Sequence, residues 1–361
     1  MGDDIRSKQR DAVPVPNAVQ SDIVYRDDCY SAFPHLVRLE GDELLLSFRE
    51  APRVAGIRHT HPRSIINLIR SYDGGSTWDI PNGSQMGAGG GQEFCLINFG
   101  GGHVGGALAW HEVVSEKEIL RTGIAHVHAS ENPFRTPGAC WAWSDTYGLT
   151  WPPQHIAVMG GRSTMPCGSP ILTRDGLLLC PVYDFGRPGW DSVLYRSPDK
   201  GRTWLEPIVM ARGAEGVAGF CEPAIAETAP GVLRALHRVE NTREGAGCFW
   251  TNRSSDGGST WSAPVNTGIP SGACPRLLTL SDGRLLLTFG RRFAPCGIRA
   301  RLSEDGGETW GQNWLLRATT NGNQGYTCSV ELDGGRLLTV SYAENAAGTT
   351  GIVGTFWQLP A

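Results

Sequence analysis

Ser71-Tyr72-Asp73-Gly74-Gly75-Ser76-Thr77-Trp78 decides the reading of this chain, because its spacing recurs. Serine, an acidic residue two places on, then glycine, threonine and tryptophan return at 197–204, 254–261 and 303–310, with a degenerate copy at 144–151. Each copy reads as a turn between two antiparallel strands: glycine supplies left-handed backbone, and an Asp side chain bonds the amides of its own turn. The tryptophan packs beneath the turn. In the degenerate copy Thr146 replaces the Asp, so that turn is expected to be looser.

A unit copied along most of 361 residues argues for one closed array, not two unrelated domains. The composition agrees. With 48 Gly, 23 Pro and 12 Trp but only 19% charged residues, the chain is suited to short strands and tight turns rather than long helices. A net charge of −4 gives no general attraction to nucleic acid or anionic membrane. The start, Met1-Gly2-Asp3-Asp4-Ile5, has neither the basic nor the apolar part of a signal peptide, so the chain as written is expected to be cytoplasmic, or secreted if a signal has been removed.

Reading back from each tryptophan gives a four-strand template whose apolar second strands lie at 43–48, 104–110, 176–182, 232–237, 284–289 and 336–340. Six such units make an all-β chain, a six-bladed β-propeller of four-stranded antiparallel blades. The sixth unit lacks its own signature turn and ends near the C-terminus, so 21–25 is expected to supply its outer strand and close the ring. Residues 1–16 read as a flexible lead and 17–361 as the propeller domain. Cys29, Cys95, Cys167, Cys221, Cys274 and Cys328 fall near the first strands, where small apolar side chains suit crowding at the axis. No Cys-x-x-Cys or Cys/His spacing calls for a metal, and no motif calls for a cofactor.

In such a ring the ends of the second strands and the starts of the first strands meet at one mouth. The former contribute Arg49 and Glu50, His111 and Glu112, Tyr183 and Asp184, His237 and Arg238, Arg291 and Arg292, and Tyr342 and Glu344. The latter contribute Glu93, Glu222, Arg276 and Tyr326, and His59 and His61 lie on the loop after the second strand of unit one. A mouth of Arg, His, Glu and Tyr above apolar strands suits a charged or polyhydroxyl ligand.

The repeated Ser-x-Asp-x-Gly-x-Thr-Trp resembles the Asp-box of the sialidase (neuraminidase)-like, BNR-repeat six-bladed propellers. The resemblance implies a Tyr nucleophile in unit six, here in Gly325-Tyr326-Thr327-Cys328, a Glu partner, here Glu222-Pro223, and a substrate-binding Arg, here Arg238. A third anion-binding Arg is assigned to Arg292, with Arg291 or Arg299 as alternatives. Two positions depart from the family. Its Arg-Ile-Pro is Ala32-Phe33-Pro34 here, and its acid/base Asp loop reads Arg58-His59-Thr60-His61-Pro62-Arg63, with no carboxylate.

The chain is therefore expected to be an exo-acting glycosidase for an anionic or deoxy sugar. Tyr326 and Glu222 form the nucleophile pair and His59 or His61 is the acid/base. Arg238, Arg292, Arg49, Arg276, His111, Glu93 and Asp184 are the candidate substrate-binding residues. The expected partner is a glycan or small carbohydrate, not nucleic acid or membrane, and the sequence does not specify an oligomeric state. A lyase acting on uronic-acid glycans and a non-catalytic binding propeller are the alternatives.

Overall fold

All six expected second strands run inside antiparallel sheets of a six-bladed β-propeller, here described by a computed structural model. The structure describes residues 12–54, 61–86, 90–114, 117, 134–160, 163–186, 189–214, 216, 218–240, 247–270 and 272–360. Blade one is Cys29–Arg38, Leu44–Pro52, Ile65–Ser71 and Asp79–Met86 from axis to rim, and the other blades repeat this order. In blade six the outer strand is Val19–Val24, which pairs antiparallel with Thr350–Gln358 and closes the ring from the N-terminal side. Residues before the expected boundary at 17 also pack on the ring: Val13–Pro14 pairs parallel with Trp314 and Leu315 of blade five, and Val15 is buried. Its apolar side chains fill a gap against Leu316 and Trp357.

Each Asp-box is a clasped turn. Ser71 Oγ accepts from the Gly75 amide at 2.7 Å and donates to Asp73 Oδ1 at 2.8 Å. The same carboxylate accepts from the Thr77 amide at 2.8 Å and hydroxyl at 2.7 Å. The copies at Asp199, Asp256 and Asp305 repeat these bonds. The degenerate turn is not the loose one the sequence suggested. Thr146 Oγ1 accepts from the Thr150 amide at 3.0 Å and bonds its hydroxyl at 2.8 Å, so a neutral hydroxyl makes the bonds of the missing carboxylate.

The box glycine also joins each blade to the one before it. A Cβ at Gly75 would meet Leu338 of blade six, at Gly148 Leu45 of blade one, and at Gly258 Leu194 of blade three. At Gly201 it would fall inside the indole of Trp141. These glycines have φ between +73° and +92°, so backbone conformation and interblade contact both exclude a side chain. The box tryptophans add ring contacts: Trp204 packs edge-on to Trp141 of the blade before it, and Trp151 edge-on to Phe94 of its own blade.

At the axis, three inner strands carry the same irregularity. The ladder skips between Ala32 and His35, between Cys221 and Ala224, and between Gly325 and Cys328, each time placing two residues opposite one. The first residue of each bulge has left-handed backbone although none is glycine: Phe33 at φ 56°, Glu222 at 46° and Tyr326 at 51°. A bulge turns its side chain out of the pleat, and here all three turn toward the axis. Such backbone costs about 1–2 kcal/mol per residue, a cost met by the surrounding packing.

Two stability tests follow from these contacts. Gly201→Ala should destabilise by about 2–5 kcal/mol, from left-handed strain plus overpacking against Trp141, whereas Gly283→Ala, at φ +90° with open space around it, should cost only about 1–2 kcal/mol. Equal costs in urea denaturation would contradict the interblade contact. Phe33→Gly should be more stable than Phe33→Ala by about 1 kcal/mol, because both lose the ring but only Gly relieves the backbone. The reverse order, usual for an interior strand, would show that Phe33 is unstrained.

Candidate active site

The bulges of blades four and six bring a phenol and a carboxylate together. Tyr326 donates its hydroxyl to Glu222 Oε1 in a short hydrogen bond. Cross-strand from Cys221, Arg238 holds both Glu222 oxygens through Nη1 at 2.9 Å and pairs with Glu240 through Nη2. From blade five, Arg292 donates to the Gln324 carbonyl at 3.0 Å and the Tyr342 hydroxyl at 2.6 Å, and its guanidinium lies 5.4 Å from the centre of the Tyr326 ring. Phe33, the third bulge residue, sets its ring edgewise on Tyr326 at 4.7 Å and on Tyr342 at 5.6 Å. Close approach needs small neighbours: a Cβ at Gly290 would meet Gln324 and Gly325, and one at Gly168 would collide with the Pro223 carbonyl.

The charges of this cluster fix its protonation. Burial alone would push the Glu222 carboxyl up, but Arg238, the Tyr326 hydrogen bond and the Arg292 charge together hold it below the usual carboxylate range. Tyr326 moves the opposite way. Burial and the adjacent Glu222 charge keep its phenol far above the ordinary tyrosine value, so the pair is a neutral phenol donating to a carboxylate. Arg238 keeps one-fifth of its side chain exposed and remains open to a ligand at the mouth.

The other expected residues divide between the mouth and deeper levels. Arg49 stands opposite Ala32 in the blade-one ladder, 1% exposed, with its guanidinium 5.8 Å from the Tyr30 ring centre and 6.0 Å from that of Phe33. It is a buried cation against two aromatic rings, on the strand beside the position where the family's Arg is missing. His61 is 8% exposed and accepts from the Arg63 amide at 3.1 Å. Burial and the charges of Arg63 and Arg49 lower its pKa. His59 lies outside the described residues.

Arg276 and Glu93 do not reach the mouth. Arg276 bonds His35 Nε2 at 2.9 Å, and His35 is the first residue after the blade-one bulge, so Arg276 lies below the bulges. Its strand starts at Arg276, as expected, so the His35 contact and not the strand start places it at that depth. Glu93 is 3% exposed and accepts from Cys167 Sγ at 3.6 Å; burial drives its carboxyl well above the ordinary range despite the Arg276 charge. His111 is buried against the Thr136 hydroxyl at 2.9 Å, and Asp184 accepts the Gly186 amide in its own hairpin at 2.8 Å. Each has a local structural partner in place of a ligand. Of the three alternatives, Arg292 faces Tyr326, whereas Arg291 donates to Ala294 and Arg299 to Pro295.

Phe33 and the Arg292–Tyr342 bond were missed from sequence. The signal for the first was present: proline inside a strand marks a sheet edge or a bulge, and Phe33-Pro34 and Glu222-Pro223 share it. On the opposite face, the ends of the inner strands enclose a cavity of about 520 Å³ lined by Leu36, Leu96, Ile225, Leu277 and Val330 with Arg276. It opens away from Tyr326.

Comparison with solved structures agrees with this architecture. A protein of unknown function from Dyadobacter fermentans DSM 18053 superposes with a TM-score of 0.84 at 23% identity, over 96% of this chain and 100% of that one. A Hadza microbial sialidase gives 0.65 at 20% identity, over 91% of this chain and 66% of that one. The Penicillium chrysogenum α-L-arabinanase complexed with arabinobiose gives 0.65 at 13% identity, over 95% and 99%. No curated protein sequence matches the chain significantly. Residues 124–339, more than half of the chain, match the model of the BNR repeat-like domain, and with its clasped turns and six blades this chain belongs to that family of sialidase-like propellers.

Proposed function

We propose that the chain is a sialidase-like exo-glycosidase that removes a terminal anionic or deoxy sugar from a glycan. The observation that carries this reading is the Tyr326 hydroxyl donated to Glu222 while Arg238 clamps that carboxylate. In the proposed reaction Tyr326 attacks the anomeric carbon, Glu222 takes up the phenol proton as the C–O bond forms and returns it to the phenolate when the sugar is released, and the bond to the leaving oxygen breaks. A histidine, His61 or His59, gives that oxygen a proton. Water, deprotonated by the same histidine, then releases the sugar and restores Tyr326. The structural neighbours that are a sialidase and an arabinanase support glycan chemistry at this mouth.

The substrate class follows from which cations are reachable. Ala32 removes one anion-binding arginine, Arg49 is buried against Phe33, and Arg276 lies below the bulges, leaving Arg238 and Arg292 beside Tyr326. Two guanidiniums suit a single anionic group, and the Phe33 ring suits a sugar face lacking a hydroxyl. For proton transfer, His61 is tied to the pair through the Arg49 charge and the Phe33 ring.

A panel of aryl glycosides that includes sialic and uronic acid derivatives tests the reading. Tyr326→Phe should lower kcat by about 10³-fold or more while KM changes little; undiminished turnover removes Tyr326 from the mechanism. An unsaturated, ultraviolet-absorbing product would instead mark a lyase, and sugar binding without turnover a binding module. If His61 is the general acid it must be protonated, so activity should fall as pH rises through a value below the ordinary histidine pKa of about 6.5. His61→Ala should flatten that limb. If the limb persists there and disappears in His59→Ala, proton transfer belongs to His59.

A further inference from the structure

Directly beneath the Tyr326–Glu222 pair, three blades place sulfur against carboxylate. Cys167 follows Thr164–Pro166 in blade three, Cys274 precedes Arg276–Thr279 in blade five, and Glu222 stands between them in blade four. The two Sγ atoms and a Glu222 oxygen all lie within 4.8 Å of one another, and the residues are 1%, 0% and 6% exposed. Both thiols are free. Other axial cysteines behave differently: Cys221 Sγ faces the Arg238 carbonyl and Cys328 Sγ the Leu36 carbonyl, as single small packing residues do. Cys167 and Cys274 instead face each other and acidic side chains.

Two thiols and a carboxylate are the donor set of a thiophilic d¹⁰ dication. A fourth donor is adjacent. Glu93 Oε1 lies 3.6 Å from Cys167 Sγ, and its Oε2 is buried with no hydrogen-bond partner among the described residues. Metal–ligand bonds of about 2.0–2.3 Å set tetrahedral ligand atoms roughly 3.3–3.8 Å apart, so the Cys167, Cys274 and Glu222 atoms need to contract by about an ångström at most, and the Glu93 carboxyl, now grouped with His35 and Cys95, has to turn in past Cys167. The Arg238 and Arg276 charges both act on Cys274 and offset the excess negative charge of a thiolate-rich site.

We propose that Cys167, Cys274 and Glu222, with Glu93 as fourth ligand, bind one divalent cation of the Zn²⁺ or Cd²⁺ class. The cation displaces the two thiol protons and the Glu93 carboxyl proton to solvent and occupies the carboxylate that accepts the Tyr326 hydroxyl. Binding is independent of the glycosidase reading; only the loss of turnover that follows from it rests on that reading.

Titration of the reduced full chain with Cd²⁺ tests the site without any substrate. The expected result is a saturable thiolate-to-cadmium charge-transfer band at one Cd²⁺ per chain, with release of about three protons. The band should vanish in Cys167→Ser/Cys274→Ser and persist in Cys29→Ser/Cys248→Ser. Should the first double variant fail to fold, Cys167→Ala and Cys274→Ala singly should each weaken the band, with thermal unfolding confirming the fold. No band in the parent chain, or a band that survives loss of both thiols, overturns the proposal. On a glycoside whose turnover is lost in Glu222→Gln, Cd²⁺ should inhibit in step with the band; a full band with undiminished turnover of that glycoside removes Glu222 from the ligand set and overturns the proposal as stated.

Discussion

Everything in this ring depends on the contact between one box glycine and the blade before it. The serine and aspartate clasp closes each turn with bonds of about 2.5–2.9 Å, and the glycine at its centre then fits against Leu338, Leu45, Trp141 or Leu194 without a side chain between. That contact sets how closely successive blades stack and so how nearly their inner strands converge. Charge is not required for it. Thr146 closes its turn with a hydroxyl, and Gly148 still fits against blade one.

Convergence has a consequence at the axis, where neighbouring inner strands leave little room and the bulges at Phe33, Glu222 and Tyr326 turn side chains into what remains. Left-handed backbone at three non-glycine residues is unfavourable locally. It is offset where the turned-in groups meet partners: Phe33 on two tyrosine rings, Glu222 on Arg238, Tyr326 on Glu222. The same crowding explains why burial, which would neutralise Glu222, loses to its cationic neighbours, and why Glu93, one level down and without a bonded cation, is driven to the protonated form. Position along the axis thus separates two carboxyl groups into an ionised acceptor and a neutral acid.

Much of this was legible in the sequence. The recurring turn gave the blade count, the second strands and the closure by the N-terminal segment, because each is a local pattern of glycine, apolar alternation and spacing. Tyr326, Glu222 and Arg238 could be found because the repeats align with the Asp-box family and Glu222 and Arg238 share one hairpin; that Tyr326 and Glu222 sit at the same bulge position was visible only in the structure. Depth was not legible. Whether a residue at the start of an inner strand faces the mouth or the channel depends on a one-residue bulge, which separates Tyr326 from Arg276. The sulfur cluster was equally hidden, since Cys167, Glu222 and Cys274 are 55 and 52 residues apart, one blade each, a spacing that reflects the ring and no local motif.

The central claim is that the bulge at Tyr326 presents a nucleophile to a sugar. Incubation with activated fluoro-sugars that slow release of a glycosyl-enzyme, followed by intact-mass and peptide mass spectrometry, measures this directly. The account predicts one added glycosyl group per chain, mapped to the peptide containing Tyr326 and absent from Tyr326→Phe. Turnover of the parent glycoside with no adduct, or with an adduct on another residue, would contradict it.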